Sequence, residues 1–145
     1  GIRREVVKAI ISLAQPGDPA LFDLYQARLY DEDPAIRIMT VDALGQYSVD
    51  PRTAPAIGGA VTDQDVRVKL KALDVLSTST DPNAVEQIIR GLFDSSDEAK
   101  QVKLATLDAL HKVASRKSVK ALQEFILNEG DAEVKRRAAE VLDTL

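Results

Sequence analysis

The sequence predicts an all-α solenoid, in which helical hairpins stack one after another along a single axis. Apolar positions recur with a helical spacing, the same pattern returns five times at intervals of 32 or 34 residues, and turn-forming residues separate the copies. A period of this length is typical of solenoids, because one hairpin is too small to bury its own apolar side and must pack against the next. The 145 residues therefore hold four hairpins and one further helix.

The first segment of each copy, called segment A, is predicted to be an amphipathic helix. Its apolar residues fall at relative places 1, 5, 6, 8 and 9, which lie on one broad face of a helix and fit no strand. A β-branched apolar residue opens this face, and a basic residue always follows it. The opening residues are Ile2, Ile36, Val68, Val102 and Val134, and the basic residues are Arg3, Arg37, Lys69, Lys103 and Lys135.

Aspartates mark the start of segment A. Asp33, Asp65 and Asp131 stand three residues before the opening residue, where a carboxylate accepts hydrogen bonds from free backbone N–H groups. We therefore expect them to be N-caps. Asp97 holds the equivalent place in the fourth copy, but two extra residues separate it from Val102, so an irregular start is expected there.

The basic residue of each copy stands in the first turn of helix A, where a cation opposes the helix dipole. Its recurrence predicts ion pairs with carboxylates of the neighbouring turns rather than a row of free cations for an acidic partner. Exposed pairs contribute only about 0–1 kcal/mol each, so the pairs would set the register of the repeats more than their stability. The expected acidic residues include Asp31, Asp33, Asp63 and Asp65.

A second apolar segment, called segment B, follows each segment A after a short turn. Three turns contain Asp-Pro, and proline is tolerated at the first helical position because its missing N–H would be unpaired anyway. The turns hold Asp18-Pro19, Asp50-Pro51, Asp81-Pro82 and, without proline, Ser115 to Ser118. The inner columns of segment B are predicted as Leu21, Thr53, Val85, Val119; Leu24, Ala56, Ile88, Leu122; and Leu29, Val61, Phe93, Leu127.

This order predicts one domain of about four and a half repeats, with boundaries at 1–30, 31–62, 63–94, 95–128 and 129–145. The last copy consists of a segment A alone, although solenoid ends normally need a polar cap. We therefore expect the natural protein to be longer, or the terminal helices to associate with another molecule, including a second copy end to end. The apolar residues of the last segment are Ala138, Ala139, Val141, Leu142 and Leu145.

The repeated pattern resembles the HEAT repeat, in particular the short form of prokaryotic proteins and bilin-lyase-like domains. It is Asp-x-x-[Ile/Val]-[Arg/Lys]-x-x-small-apolar-x-[Ala/Val]-[Leu/Ile] and occurs at 33–44, 65–76 and 131–142. The resemblance covers nearly the whole chain. It implies a right-handed α–α superhelix with A helices on the convex side and B helices on the concave side. It also implies a scaffold or adaptor that binds other proteins.

Composition and motifs narrow the function classes. The net charge of -4 disfavours nucleic-acid binding, because that affinity comes largely from Lys and Arg neutralising phosphates. No apolar run reaches the roughly 18 residues that span a bilayer, which disfavours a membrane partner, and a cytoplasmic location is favoured. There is no Cys, no Gly-rich phosphate loop and a single histidine, His111, without an acidic neighbour. The sequence therefore predicts no catalytic residue, no metal site and no cofactor.

Contacts with a specific partner are expected where the copies differ. Two variable columns lie four residues apart on segment B and should form one stripe. The stripe begins with an aromatic residue, passes small residues and ends in mixed charge, which predicts that a partner peptide or helix binds along it. Solvated side chains without a partner are the alternative. The candidate binding residues are Phe22, Gln26, Pro55, Gly58, Glu86, Arg90, Lys120 and Glu124.

A second function class stays open. An accessory or lyase-like domain would hold a pigment or another small molecule in the concave groove, as the bilin-lyase resemblance implies. Such a domain needs a pocket with converging polar groups. Aromatic residues make up only 4% of the chain, which disfavours binding of a tetrapyrrole.

Overall fold

The computed structural model describes all residues from Gly1 to Leu145 and contains helices but no strand, which confirms the predicted all-α fold. None of its helices combines the length and the apolar character that a membrane crossing requires. Single 3-10 turns lie at Pro19–Leu21, Gly59–Thr62, Arg90–Phe93 and Arg116–Ser118. The α-helices are α1 (Ile2–Leu13), α2 (Phe22–Arg28), α3 (Pro34–Leu44), α4 (Thr53–Gly58), α5 (Val66–Ser77), α6 (Ala84–Ile89), α7 (Ala99–Val113), α8 (Val119–Asn128) and α9 (Ala132–Asp143).

The helices are stacked in chain order. The A helices are α1, α3, α5, α7 and α9, and each packs against the next A helix; the B helices are α2, α4, α6 and α8. α4 packs on α6, and each B helix also packs on the A helix that follows it. Because the main contacts link neighbouring repeats, the fold is an all-α solenoid.

The opening residues of segment A form the centre of the core. Ile36, Val68, Val102 and Val134 are all completely buried. Burying one such side chain stabilises the fold by roughly 1.5–3 kcal/mol, so this column alone links four repeats strongly. The predicted inner face of segment A is thereby confirmed for these copies.

Aspartate caps begin most A helices, as predicted. The carboxylates of Asp33 and Asp65 accept the N–H groups of the residues two positions later, at 2.9 and 2.8 Å. Asp131 accepts from two backbone N–H groups, at 3.0 and 3.1 Å. α7 begins after Glu98, whose side chain makes no capping hydrogen bond. The irregular start expected from Asp97 is therefore confirmed.

The predicted inner columns of segment B were wrong for Phe93 and Leu127, which are exposed, whereas Val85, Ile88 and Leu122 are buried as predicted. Asp50 follows Ile36 after 14 residues, whereas Asp81 follows Val68 after 13, so the turn between α5 and α6 is one residue shorter. Equal steps of 32 residues therefore slip by one position, which rotates a side chain by about 100° around the helix. The column that is buried in all four B helices is Tyr25, Ile57, Ile88 and Leu122.

Candidate functional site

The basic residues of segment A form a ladder of ion pairs along the solenoid. The first four of the five cations each bind a carboxylate just after the B helix that follows, which confirms the predicted pairing for Asp31 and Asp63, whereas Lys135 takes part in no ion pair. Asp33 and Asp65 differ, because they cap helices and bind Arg4 and Arg67 instead. The ladder consists of Arg3–Asp31 at 3.0 Å, Arg37–Asp63 at 2.9 Å, Lys69–Asp94 at 2.7 Å and Lys103–Glu129 at 3.1 Å.

The ladder carboxylates also fix the turns that lead into the next repeat. Each accepts the backbone N–H of the residue two positions later, at distances between 2.7 and 3.0 Å. The pKa of Glu129 is lowered: burial raises it, but hydrogen bonds from the N–H of Asp131 and from Lys103 outweigh burial. The ladder therefore holds consecutive hairpins in register. Its four cations are bound by carboxylates of the same chain and are not free to bind a partner.

Two of the candidate binding residues lie in the interior, which corrects the predicted stripe. Phe22 is fully buried, contacts Tyr47 edge-on with ring centroids 5.2 Å apart, and is covered by the Arg52 guanidinium at 4.0 Å. Gly58 is buried against Gln87, whose side-chain oxygen would lie 2.0 Å from an added Cβ. The predicted stripe did not allow for the missing residue in the turn between α5 and α6. It therefore combined buried positions of the first two B helices with exposed positions of the last two.

The other six candidates are exposed, and five of them fall into two continuous outer columns once the register is corrected. Gln26 lies beside these columns. A third outer column follows them at the ends of the B helices. We call these twelve positions the B surface: Asp23, Pro55, Glu86, Lys120; Ala27, Gly59, Arg90, Glu124; and Tyr30, Thr62, Phe93, Leu127. All twelve are exposed.

The third column of the B surface carries large apolar side chains. Tyr30, Phe93 and Leu127 are 87%, 64% and 82% exposed, and only Thr62 interrupts them. Sequence reasoning placed Phe93 and Leu127 in the core, and the 31-residue spacing of the two Asp-Pro turns was the signal that could have placed them outside. The B surface is therefore apolar along one edge.

The exposed side of the A helices is different. One residue of each A helix faces solvent at equivalent positions, and all five are charged: Lys8, Asp42, Asp74, Asp108 and Glu140. Two of them pair with the next repeat, Asp42 with Lys71 at 2.9 Å and Asp108 with Arg137 at 3.0 Å. An aligned column of exposed apolar side chains is thus a feature of the B side.

An open cleft of about 290 Å³ lies between the third and fourth B helices, at the apolar edge of the B surface. Phe93 lies on one side and Glu124 on the other, and the ring of Phe125 has the ammonium of Lys103 at 5.9 Å. The lining therefore combines aromatic rings with the Lys103–Glu129 pair of the ladder. Such a cleft offers space for one side chain of a partner.

Charged residues of the B surface are unpaired in its second half. Glu86, Arg90, Lys120 and Glu124 take no part in any ion pair of the structure. In the first half, Asp23 binds Arg52 at 3.3 Å. The free charges are thus concentrated on α6 and α8.

The side chains that could bind a metal ion, and the single histidine, do not form a cluster. No group of three or more His, Cys, Asp or Glu side chains is arranged to hold a metal ion. His111 is exposed at the end of α7, where its Nδ1 lies 3.5 Å from the hydroxyl of Thr144. The structure therefore brings no acid, base and nucleophile together around this residue.

Comparison with known proteins identifies the repeat. The family model described as HEAT repeats matches residues 57–143, from α4 to the end of α9. No curated protein matches the sequence. The match spans more than half of the chain. The chain belongs to the HEAT-repeat family.

Proposed function

We propose that this chain is a non-enzymatic scaffold or adaptor that binds a partner protein along its B surface. HEAT repeats are commonly protein-interaction scaffolds. The observation that carries the proposal is the exposed apolar column of Tyr30, Phe93 and Leu127. Single exposed apolar residues need no explanation, but Phe93 and Leu127 occupy equivalent positions in neighbouring repeats and form an apolar edge of the kind that marks interaction sites, with Tyr30 beyond Thr62 in the same column.

The dimensions of the B surface suit an elongated segment. Packed helices lie about 8–10 Å apart, so four B helices span about 24–30 Å. A helix of roughly 16–20 residues has this length. The apolar column and the two polar columns beside it match an amphipathic helix, which places apolar residues on one face. The partner would lie across the B helices, with an apolar side chain in the cleft beside Phe93.

Matched variants test the proposal. Phe93→Ser with Leu127→Ser removes the apolar edge, and Val49→Ser removes an equally exposed apolar residue from the turn between α3 and α4. A partner captured from the native source and identified by mass spectrometry is then purified for calorimetric titration. We expect the Val49→Ser variant to bind like the unchanged protein and the double variant to bind at least tenfold more weakly. Equal binding by both variants would refute the proposal.

A site for a pigment or another small molecule is the alternative function, and the cleft between the third and fourth B helices is the feature that favours it. Its volume of about 290 Å³ lies just below the roughly 300–1,000 Å³ of ligand pockets. The ladder pair Lys103–Glu129 occupies part of its lining. Visible absorbance of the purified protein, or a thermal shift caused by a bilin, would support this alternative.

A second copy of the chain is a further candidate partner, through the outer face of α1 and α2. Ile2 and Val6 are 86% and 50% exposed, whereas their equivalents in the next four A helices are completely buried. Val6 borders a cavity of about 280 Å³ whose lining is mostly apolar. The outer face of α9 carries Arg136 and Glu140, which are charged and exposed. We therefore infer that two copies associate through their α1 and α2 faces rather than head to tail.

A further inference from the structure

Four cations and no acidic residue lie in and beside the turn between α7 and α8. Lys112, Arg116, Lys117 and Lys120 are all exposed, and His111 precedes them. No Asp or Glu occurs between Asp108 and Glu124, although the whole chain has a net charge of -4. We call these four cations the basic turn. The other three A-to-B turns contain an aspartate instead.

Interactions within the protein leave this charge uncompensated. Lys112 lies in the last turn of α7, where it interacts favourably with the helix dipole. Arg116 donates a hydrogen bond to the backbone carbonyl of Leu145 at 2.5 Å. Asp108, four residues before Lys112, is bound by Arg137, and Glu124, four residues after Lys120, forms no ion pair with it. Lys112, Lys117 and Lys120 have no carboxylate partner, unlike the ladder cations from Arg3 to Lys103.

The basic turn continues directly into the B surface. Lys120, Glu124 and Leu127 follow each other at helical spacing on one face of α8 and are all exposed. Seven residues separate Lys120 from Leu127, which corresponds to about 10 Å along the helix axis. Arg116 and Lys117 lie beyond Lys120 at the start of α8. One face of the fourth B helix thus runs from a cationic end to an apolar end.

We propose that the B surface binds an acidic and apolar peptide segment of its partner; this inference depends on the proposed function. An apolar side chain of the segment packs against Phe93 and Leu127, and its carboxylates bind Lys117 and Lys120. The distance of about 10 Å is close to the diameter of a helix, so a helix that lies across the B helices can place apolar side chains on Phe93 and Leu127 and carboxylates of its flank beside Lys117 and Lys120. Charge complementarity then fixes the direction in which the segment lies.

The surroundings of the basic turn favour a peptide over a nucleic acid. Nucleic-acid affinity requires several cations that follow a phosphate backbone. Here Glu124 and Glu86 flank Lys120 on the B surface, and the apolar column follows. A peptide can place a carboxylate on Lys117 or Lys120 and an apolar side chain on the apolar column, whereas a phosphate backbone has no group that would pack against Phe93 and Leu127.

Selection from a display library of random 12-residue peptides tests the inference. The protein is compared with Lys117→Glu/Lys120→Glu and with Lys8→Glu/Lys135→Glu, a control with the same charge change at exposed positions on α1 and α9. We expect the unchanged protein and the control to enrich peptides that combine Asp or Glu with aromatic or aliphatic residues. Anisotropy of a labelled selected peptide should give at least tenfold weaker binding to Lys117→Glu/Lys120→Glu, and weaker binding to the unchanged protein as salt increases.

Other outcomes separate this inference from the proposed function. Selected peptides without acidic residues, or equal binding by both charge variants, overturn the inference. If such peptides still lose binding with Phe93→Ser/Leu127→Ser, the proposed function stands. Absence of any enriched peptide also overturns the inference, while the captured partner decides the proposed function. Binding of labelled duplex DNA or single-stranded RNA that depends on Lys117 and Lys120 would overturn it by assigning the basic turn to phosphates.

Discussion

The ammonium nitrogen of Lys69 lies 2.7 Å from a carboxylate oxygen of Asp94, and the two side chains are only 5% and 6% exposed. Asp94 also accepts the backbone N–H of Ser96 at 2.7 Å. Burial alone raises the pKa of this carboxyl, but hydrogen bonds from Lys69 and Ser96 outweigh it and hold the pKa below its ordinary value. This pair joins α5 to the turn that begins the fourth repeat.

Removing one member of this buried pair should destabilise the protein strongly. Lys69→Met leaves the Asp94 carboxylate buried without its counter-ion, which costs about 3–5 kcal/mol. Lys71→Met is the matched control, because Lys71 binds the exposed Asp42 at 2.9 Å and exposed pairs contribute about 0–1 kcal/mol. Urea unfolding followed by circular dichroism measures both. Equal losses of unfolding free energy for the two variants would show that burial does not determine how much a ladder pair stabilises the protein.

Adding a methyl group at Gly91 should be costly. A Cβ there would lie 2.1 Å from the hydroxyl oxygen and 3.2 Å from the Cβ of Thr106, a short buried side chain whose hydroxyl donates to the carbonyl of Val102. Such overpacking costs about 1–3 kcal/mol. We therefore expect Gly91→Ala to lower the unfolding free energy by that amount.

Gly59 provides the control for this substitution. A Cβ added there would meet no atom of another part of the chain within 4 Å, and Gly59 follows α4 directly in a helical conformation. Gly59→Ala should leave the stability unchanged or raise it by up to about 1 kcal/mol, through the helix propensity of alanine. Thermal and urea unfolding of both variants check the difference. A loss at Gly59 as large as that at Gly91 would contradict the packing argument.

Acid should destabilise the protein below about pH 4. The hydrogen bond from Arg67 lowers the pKa of Asp65 to about 2, and the carboxyls of Asp94 and Glu129 are also lowered. A carboxyl whose pKa is lower in the folded state stabilises fully above its unfolded value and loses this contribution as the pH falls through the folded value. The unfolding free energy should therefore decline between about pH 4 and pH 2.

The variant Asp65→Asn assigns part of this decline to one group. Asparagine is also a good N-cap, so the variant keeps the capping hydrogen bond but loses the charge that binds Arg67. We expect a loss of about 1 kcal/mol or less at pH 7 and a weaker pH dependence below pH 4. Urea titrations at pH 7, 5, 4 and 3 measure both. A profile as steep as that of the unchanged protein would exclude Asp65 as a source.

The A helices could be predicted from the sequence because their features recur with constant spacing from the cap onward. Asp65 and Val68 illustrate this, since a carboxylate and a β-branched residue three positions apart identify both the helix start and its inner face. The ladder followed from the same frame, because a cation in a first helical turn requires a carboxylate nearby. Local chemistry determines each of these features, so a count along the chain locates them.

The B surface could not be predicted with the same count. Its position depends on the length of each A-to-B turn, and the turn before Asp81 is one residue shorter than the turn before Asp50. A shift of one residue moves a side chain from the core to the surface, as it did for Phe93. Apolar residues occur on both sides of segment B, so the composition of this segment did not reveal the error.

The exposed face of α1 and α2 predicts that two copies of the chain form a dimer. If two copies bury this face against each other, Val6→Glu should abolish the association, because a carboxylate would be placed in a mostly apolar cavity whose two arginines, Arg3 and Arg28, are already bound to Asp31. Glu140→Ala, on the outer face of α9, is the control for head-to-tail contact. Sedimentation velocity at several concentrations should show a dimer for the unchanged protein and for Glu140→Ala, and a monomer for Val6→Glu. A monomer at all concentrations would rule out a second copy as the occupant of this face, and a dimer that persists in Val6→Glu would place the contact elsewhere.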